Sequence, residues 1–172
     1  MGVQISLSGF FTGGGLGIVI SRLQKKDLRE AQKLLRDTIL DFDFFPLRER
    51  REDARDDAAG MAKNLSSRDW DFLVAKSDGR IVGLFTAYMR KSTYWIDWIV
   101  TSREARRSGV ATALMREGEK LARRKSRSMM GDVAKRNRAS IALLNKTGFR
   151  KVALYKDYVH GRYEYFFEKK LR

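Results

Sequence analysis

The spacing of apolar positions changes several times along the chain, and each change marks an element. Residues 1–17 carry no charged side chain and hold six glycines, the composition of a flexible leader. Ile18 to Leu23 then reads as a strand, and Asp27 with Glu30 three residues on has the spacing of a helix-starting capping box. Leu28, Ala31, Leu34, Leu35 and Thr38 share one face of that helix. Pro46, the one proline, breaks the chain, and a second helix is expected from about Arg48 to Leu65. Its apolar stripe is Ala54, Ala58, Met61, Ala62 and Leu65.

Phe72 to Lys76 and Arg80 to Tyr88 are β-rich runs separated by Ser77-Asp78-Gly79, which predicts an antiparallel hairpin. Gly83 inside the second run implies a bulge or a close backbone contact. A third run, Thr93 to Thr101, leads into a basic turn and a helix that carries Val110, Ala113, Leu114, Gly118 and Leu121 at helical spacing. Ser128 to Val133 reads as a strand. Asn137 offers an N-cap to a short helix over Arg138 to Lys146, Gly148 ends it, and Phe149 to Tyr155 with Arg162 to Lys169 form a last strand pair. The order β-α-α-β-β-β-α-β-α-β-β predicts an α/β (α+β) domain with a mixed sheet. A helix between the third run and Ser128 to Val133 requires parallel neighbours joined by a right-handed crossover, while the hairpins require antiparallel pairs.

Composition narrows the chemistry. The 172 residues, 43% of them hydrophobic, suit one domain over residues 18–172. With no cysteine and a single histidine there is no disulfide, no thiolate zinc site and no all-imidazole site, so no metal is expected. No run of about 18 apolar residues spans a bilayer, and the N-terminus lacks a signal peptide's basic region. A cytoplasmic protein without membrane association is expected.

The net charge of +15 is unevenly spread, and residues 101–172 hold 20 Lys+Arg against 7 Asp+Glu. That imbalance points to an anionic partner, either a nucleotide, a nucleic acid or an acidic protein. Within the basic half, Arg106-Arg107-Ser108-Gly109-Val110-Ala111 joins strand to helix. A helix N-terminus offers N–H groups without intrahelical partners, glycine lets an anion approach the backbone, and arginines add full charges. The segment reads as a pyrophosphate cradle.

This element order, with Arg106-x-x-Gly109-x-Ala111 at the junction and Asn137 to Phe149 (NRASIALLNKTGF) downstream, resembles the GNAT superfamily of acetyl-CoA-dependent N-acetyltransferases. The second segment is similar to that family's N-x-x-A-x-x-L-Y-x-K-x-G-F pattern, and the likeness extends over residues 18–172. Arg107 stands where many members have glycine, and Leu144 where many have a tyrosine that protonates the departing thiolate.

The resemblance implies a GNAT-like acyl-CoA N-acyltransferase fold in which an amine attacks the thioester of acetyl-CoA within a ternary complex. It assigns cofactor binding to Ile99, Val100 and Thr101 of the strand, to Arg106, Arg107, Ser108 and Gly109 of the turn, to Val110, Ala111 and Thr112 of the first helical turn, and to Asn137 and Lys146. The strand backbone would align the pantetheine and stabilise the oxyanion. A base is needed because a lysine-type amine of pKa about 10.4 costs about 4.6 kcal/mol to deprotonate at pH 7, against about 1 kcal/mol for an α-amine near 7.8. Asp132 and Asp97, the latter in the apolar run WIDWIV, are the candidates. Tyr155 or Tyr158 could replace the missing acid.

The acceptor, whether a protein N-terminus, a lysine or a small amine, is not legible. Its groove is expected between residues 41–65 and 155–163, where Asp41, Asp43, Glu49, Glu52 and Asp53 favour a cation. Two rivals remain, a basic nucleic-acid-binding domain drawn from the RRKSR cluster at residues 123–127, and a CoA-binding domain without transfer. Either a monomer or a homodimer is compatible with the sequence.

Overall fold

The structure is a computed structural model that describes residues 17–43, 45–156 and 161–171. Seven strands form one mixed sheet: β1 (Ile18–Arg22), β2 (Trp70–Ser77), β3 (Arg80–Arg90), β4 (Thr93–Thr101), β5 (Ser128–Ala134), β6 (Arg150–Tyr155) and β7 (Glu164–Lys170). Their order across the sheet is β1-β2-β3-β4-β5-β7-β6, and only the β4–β5 pair is parallel. Helices α1 (Leu28–Leu40) and α2 (Leu47–Asn64) cover one face, and α3 (Val110–Lys125) with α4 (Arg138–Lys146) covers the other. The mixed sheet and the alternation of elements agree with the sequence expectation. No helix among the described residues is long and apolar enough to cross a membrane.

Period-two burial on the central strands divides the core into two layers. Leu84 and Val74 face α1 and α2 beside Leu35 and Ile39, while Phe85, Tyr94 and Met129 face α3 beside Leu114 and Met115. The Asp78-Gly79 turn has positive φ at both residues, 49° and 76°, as a two-residue hairpin with right-handed twist requires. Gly83 explains itself by contact: a Cβ there would lie 2.6 Å from Val110 Cγ1 and 2.9 Å from Leu114 Cδ1, so its absence seats α3 on the sheet. The bulge falls beside it, where Ala75 pairs with Gly83 and Lys76 with Ile81.

The capping box before α1 does not form. The Asp27 side chain caps nothing and instead meets Lys76 Nζ at 2.9 Å, while Glu30 Oε1 accepts from the Ile81 N–H at 2.8 Å. Sheet partners outcompete the helix for both carboxylates. Across the sheet, buried Asp71 accepts from Arg22 (3.0 Å), Tyr94 Oη (3.0 Å) and Lys125 Nζ (2.7 Å), which ties three strands to the end of α3. In α2, Ala54, Ala58 and Met61 are buried as predicted, but Ala62 is exposed and the helix ends at Asn64.

Candidate active site

A split in the sheet creates the site. β4 and β5 pair at only two positions, Tyr94 with Met129 and Trp95 with Met130. Beyond them β4 carries a bulge: Thr86 of β3 faces Trp98 and Ala87 faces Ile96, which leaves Asp97 as the extra residue. Thr86 holds the bulge by donating its hydroxyl to Asp97 Oδ2 (2.9 Å) and accepting the Trp98 N–H (3.0 Å). A bulge bends and twists its strand, so β4 stays with β3 while β5 follows β7 as far as Ala134 and Glu164. Gly131 lies at the vertex, where a Cβ would meet Ile96 Cβ at an ordinary contact distance of 3.4 Å.

Two cavities open into this split and share Phe42, Ile99, Asn137, Ser140 and Leu143. The larger, of about 640 Å³, is basic and lies against the N-terminus of α3. The turn that builds it is locked by its own backbone: Ser108 Oγ donates to the Ala105 carbonyl at 2.6 Å, and Arg107 and Gly109 take the left-handed region with φ of 64° and 89°. No side chain caps α3, and a Cβ on Gly109 would meet nothing within 4 Å, so the first-turn N–H groups face open space. α4, by contrast, is capped by Asn137 Oδ1, which accepts from the Ser140 N–H at 3.1 Å.

Eleven of the twelve cofactor residues read from the sequence line this cavity: Ile99, Val100, Thr101, Arg106, Arg107, Gly109, Val110, Ala111, Thr112, Asn137 and Lys146. The twelfth, Ser108, does not line it and serves to lock the turn. Asp41, expected in the acceptor groove, belongs here. Arg103 grips it with two 2.5 Å hydrogen bonds and Arg106 stands 3.5 Å away, and these arginines, Arg103 first, hold its carboxyl below the usual range.

The second cavity, of about 260 Å³, has the opposite character. Asp53 and Asp57 of α2, Asp97 of β4, Asp132 of β5 and Glu164 of β7 all line it. Rings of Phe42, Phe45, Trp95 and Trp98 stand between them, with Phe42 stacked on Trp98 at 6.2 Å. Arg162 is its one cation among the described residues, 3.7 Å above the Phe45 ring and within 3.4 Å of Glu49 and 3.7 Å of Glu164.

Crowding raises these carboxyls. Burial pushes Asp97 to about 6, against the Thr86 hydrogen bond and with help from the Asp132 charge. Protein surrounds Asp97 closely, yet cleft solvent reaches its side chain, which suits a group that must exchange protons. Asp57 goes to about 7 by burial and then by the charges of Asp97 and Asp53, while the Trp98 indole donates to it and opposes the shift. Burial and Asp132 raise Glu164 to about 7 against Arg162. Asp132 is raised by burial and eased by a hydrogen bond from the Trp95 indole.

A carboxyl raised on folding stabilises the fold while protonated. The contribution is full below the unfolded pKa, near 4, and is lost as pH rises through the folded value. Ionisation of Asp57 and Glu164 in the fold should therefore lower stability, and Tm with it, from pH 5 to 7.5. Calorimetry of the native protein and of Asp57→Asn/Glu164→Gln checks this. The variant should show the weaker fall.

The structure brings Asp97 and Asp132 together but does not bring Tyr155 to them. Tyr155 lies on the edge strand β6, 52% exposed and tilted against Phe166 with ring centroids 4.8 Å apart, and lines neither cavity. Tyr158 lies outside the described residues. Leu144 does line the acidic cavity, so the position matched to the family's tyrosine faces the site without a hydroxyl. Of the acidic residues expected to form the acceptor groove, only Asp53 lines this cavity. Glu49 pairs with Arg162 beside it, and Glu52 pairs with Arg48 on the surface. Asp57 and Glu164 were missed. The signal for Asp57 was its i,i+4 spacing from Asp53 across the α2 face that packs inward at Ala54 and Ala58.

The overall fold is similar to that of many solved acetyltransferase structures. The PaiA N-acetyltransferase from Thermoplasma acidophilum, solved in complex with coenzyme A, superposes with a TM-score of 0.75 at 18% identity, over 89% of this chain and 98% of that one. The ribosomal-protein-S18-alanine N-acetyltransferase from Escherichia coli gives 0.71 at 18% identity, over 90% and 94%. YncA from Salmonella typhimurium, solved with its cofactor acetyl-CoA, gives 0.73 at 17% identity, over 90% and 94%. These likenesses are of fold. The sequence profile of the acetyltransferase (GNAT) family matches residues 34–149, and the chain belongs to that family. Comparison with curated protein sequences finds no match.

Proposed function

We propose that the protein transfers the acetyl group of acetyl-CoA directly to an amine held in the same cleft. The observation that carries this reading is the meeting of a basic and an acidic cavity at the β4–β5 split. The basic cavity fits the cofactor. The open first turn of α3, with Arg106 and Arg107 beside it, would hold the pyrophosphate, and the β4 edge at Ile99 to Thr101 would run beside the pantetheine. Bound acetyl-CoA supplies an activated acyl carbon and a thiolate leaving group.

The chain's own residues do the rest. Asp97, with Asp132 across the split, takes the proton of the attacking amine, directly or through one water. N–H groups at the end of β4 face the developing oxyanion. As the N–C bond forms and the C–S bond breaks, the thiolate departs as the anion of a thiol of pKa about 8.5. It can take a proton from solvent, so Leu144 need not be replaced by another acid.

Incubation with acetyl-CoA and a panel of amines and peptides, following CoA release and product mass, tests the reading. Gly109→Val places carbons where the anion must approach and strains a φ of 89°, so KM for acetyl-CoA should rise about 10–100-fold, a loss of about 1.4–2.7 kcal/mol. An unchanged KM, or no transfer to any acceptor, would overturn the proposal.

A further inference from the structure

Strict alternation along β4 would send Asp97 and Trp98 to opposite faces of the sheet. The bulge overrides it. With Asp97 as the extra residue, both side chains bear on α2: the Asp97 charge acts on Asp57, and the Trp98 indole donates to the same carboxyl. A bulge disrupts the ladder locally and leaves its extra residue unpaired. One side chain answers both needs. Thr86, on the neighbouring strand β3, accepts the Trp98 N–H at 3.0 Å and donates its hydroxyl to Asp97 Oδ2 at 2.9 Å.

That hydroxyl stands where polarity needs a reason. Thr86 is wholly buried between the equally buried Phe85 and Ala87 of β3, and it lines neither cavity. Valine would fill nearly the same volume without the cost of burying a hydroxyl. What threonine adds is a fixed direction for one proton. A hydroxyl has a single proton to donate, and here it goes to Oδ2, the one Asp97 oxygen that a donor meets among the described residues. Oδ2 is thereby held as an acceptor. Asp97 lines the acidic cavity, so Oδ1 is the oxygen left to exchange a proton with whatever enters.

We infer that Thr86 is a positioning residue for the transfer: its hydroxyl holds Asp97 Oδ2 and the Trp98 backbone across the bulge, so that Oδ1 takes the proton of the amine. This rests on the transferase reading and adds to it the group that orients the base. The same hydrogen bond favours the charged carboxylate, opposing the burial and the Asp132 charge that raise Asp97 to about 6. Asp53 and Asp57 of α2, Asp132 of β5, Glu164 of β7 and Arg162 line the same cavity. A substitution at position 86 alters none of them, so a change in Asp97 reads the hydroxyl.

Thr86→Val keeps the shape and removes the hydroxyl. In a carboxyl-carbon NMR titration, the Asp97 midpoint should move up by about one pH unit from its native position. In turnover assays with any amine the native enzyme accepts, the acidic limb of kcat should move with it. The loss should be about five- to tenfold near pH 5.5 and within about threefold above about pH 8, with KM for acetyl-CoA within about twofold. Thr86→Ser, which keeps the hydroxyl, should return the limb to its native place. In an Asp97→Asn background, Thr86→Val should change kcat by less than about twofold. If Thr86→Val does not fold, Thr86→Cys, whose thiol is a weaker donor, should move the Asp97 midpoint in the same direction.

An Asp97 midpoint left in place by these variants, or a loss of kcat that is equal at every pH and not restored by Thr86→Ser, would overturn the inference and leave the transferase reading standing. A midpoint that moves in a protein transferring acetyl to no amine would overturn the transferase reading and leave the hold of Thr86 on Asp97 standing.

Discussion

Asp97→Asn is expected to lower kcat by about 10²–10⁴-fold, the usual worth of a general base, while KM for acetyl-CoA stays within about twofold. The substitution keeps an oxygen for the Thr86 hydroxyl and so preserves the bulge that opens the cleft. What it removes is the proton acceptor. The pH profile carries the sharper test. A base held at about 6 works only when ionised, so kcat of the native enzyme should rise with pH through about 6 and level off above it. In the asparagine variant that limb should vanish.

Asp132→Asn separates the two carboxylates. The Asp132 charge is one reason the Asp97 carboxyl is raised, so its removal should move the acidic limb to lower pH and leave Asp97 a weaker base. The expected loss in kcat is smaller than for Asp97→Asn. Rates of Asp97→Asn within threefold of native would remove it from the chemistry, and a collapse confined to Asp132→Asn would exchange the two roles.

The cofactor side of the site was legible in the sequence because its chemistry is local. A strand, a basic turn with glycine and a helix lie consecutively, and nine of the ten cofactor residues expected there meet in one cavity. The β4 bulge was only half visible: a charge inside WIDWIV marked Asp97 as unusual, but not that Thr86 of the neighbouring strand would hold it out of register. The acceptor side was poorly legible because four separate elements converge on it. Asp41 looked like an acceptor residue and is drawn away by Arg103, which lies 62 positions later in the chain. Asp57 is one of many charges on α2, and Glu164 stands beside the aromatic residues of β7. Single-element periodicity carries no information about which face of one element meets which face of another.

The orientation of α3 decides whether its N-terminus points into the split, and two glycines decide how closely α3 lies on the sheet. Gly83 admits Val110 and Leu114 from the strand side, and Gly118 admits the ring of Phe85 from the helix side. Gly118→Ala would gain about 1 kcal/mol of helix propensity, but its Cβ falls inside contact distance of three carbons of the wholly buried Phe85 ring. Overpacking of this kind costs about 1–3 kcal/mol, because close-packed interiors leave few voids for a ring to move into.

A net loss of up to about 2 kcal/mol is therefore expected for Gly118→Ala, and about 3 kcal/mol for Gly118→Val, which also adds β-branching. Gly60 in α2 is the control: a Cβ there meets nothing within 4 Å, so Gly60→Ala should gain about 1 kcal/mol. Denaturant unfolding of the three variants checks the signs. Phe85→Leu should recover part of the Gly118→Ala loss, a coupling above about 0.5 kcal/mol in a double-mutant cycle. Equal gains at both glycines would mean that α3 can lift from the sheet, and KM for acetyl-CoA should then rise with the lift, because the first-turn N–H groups would leave the mouth of the split.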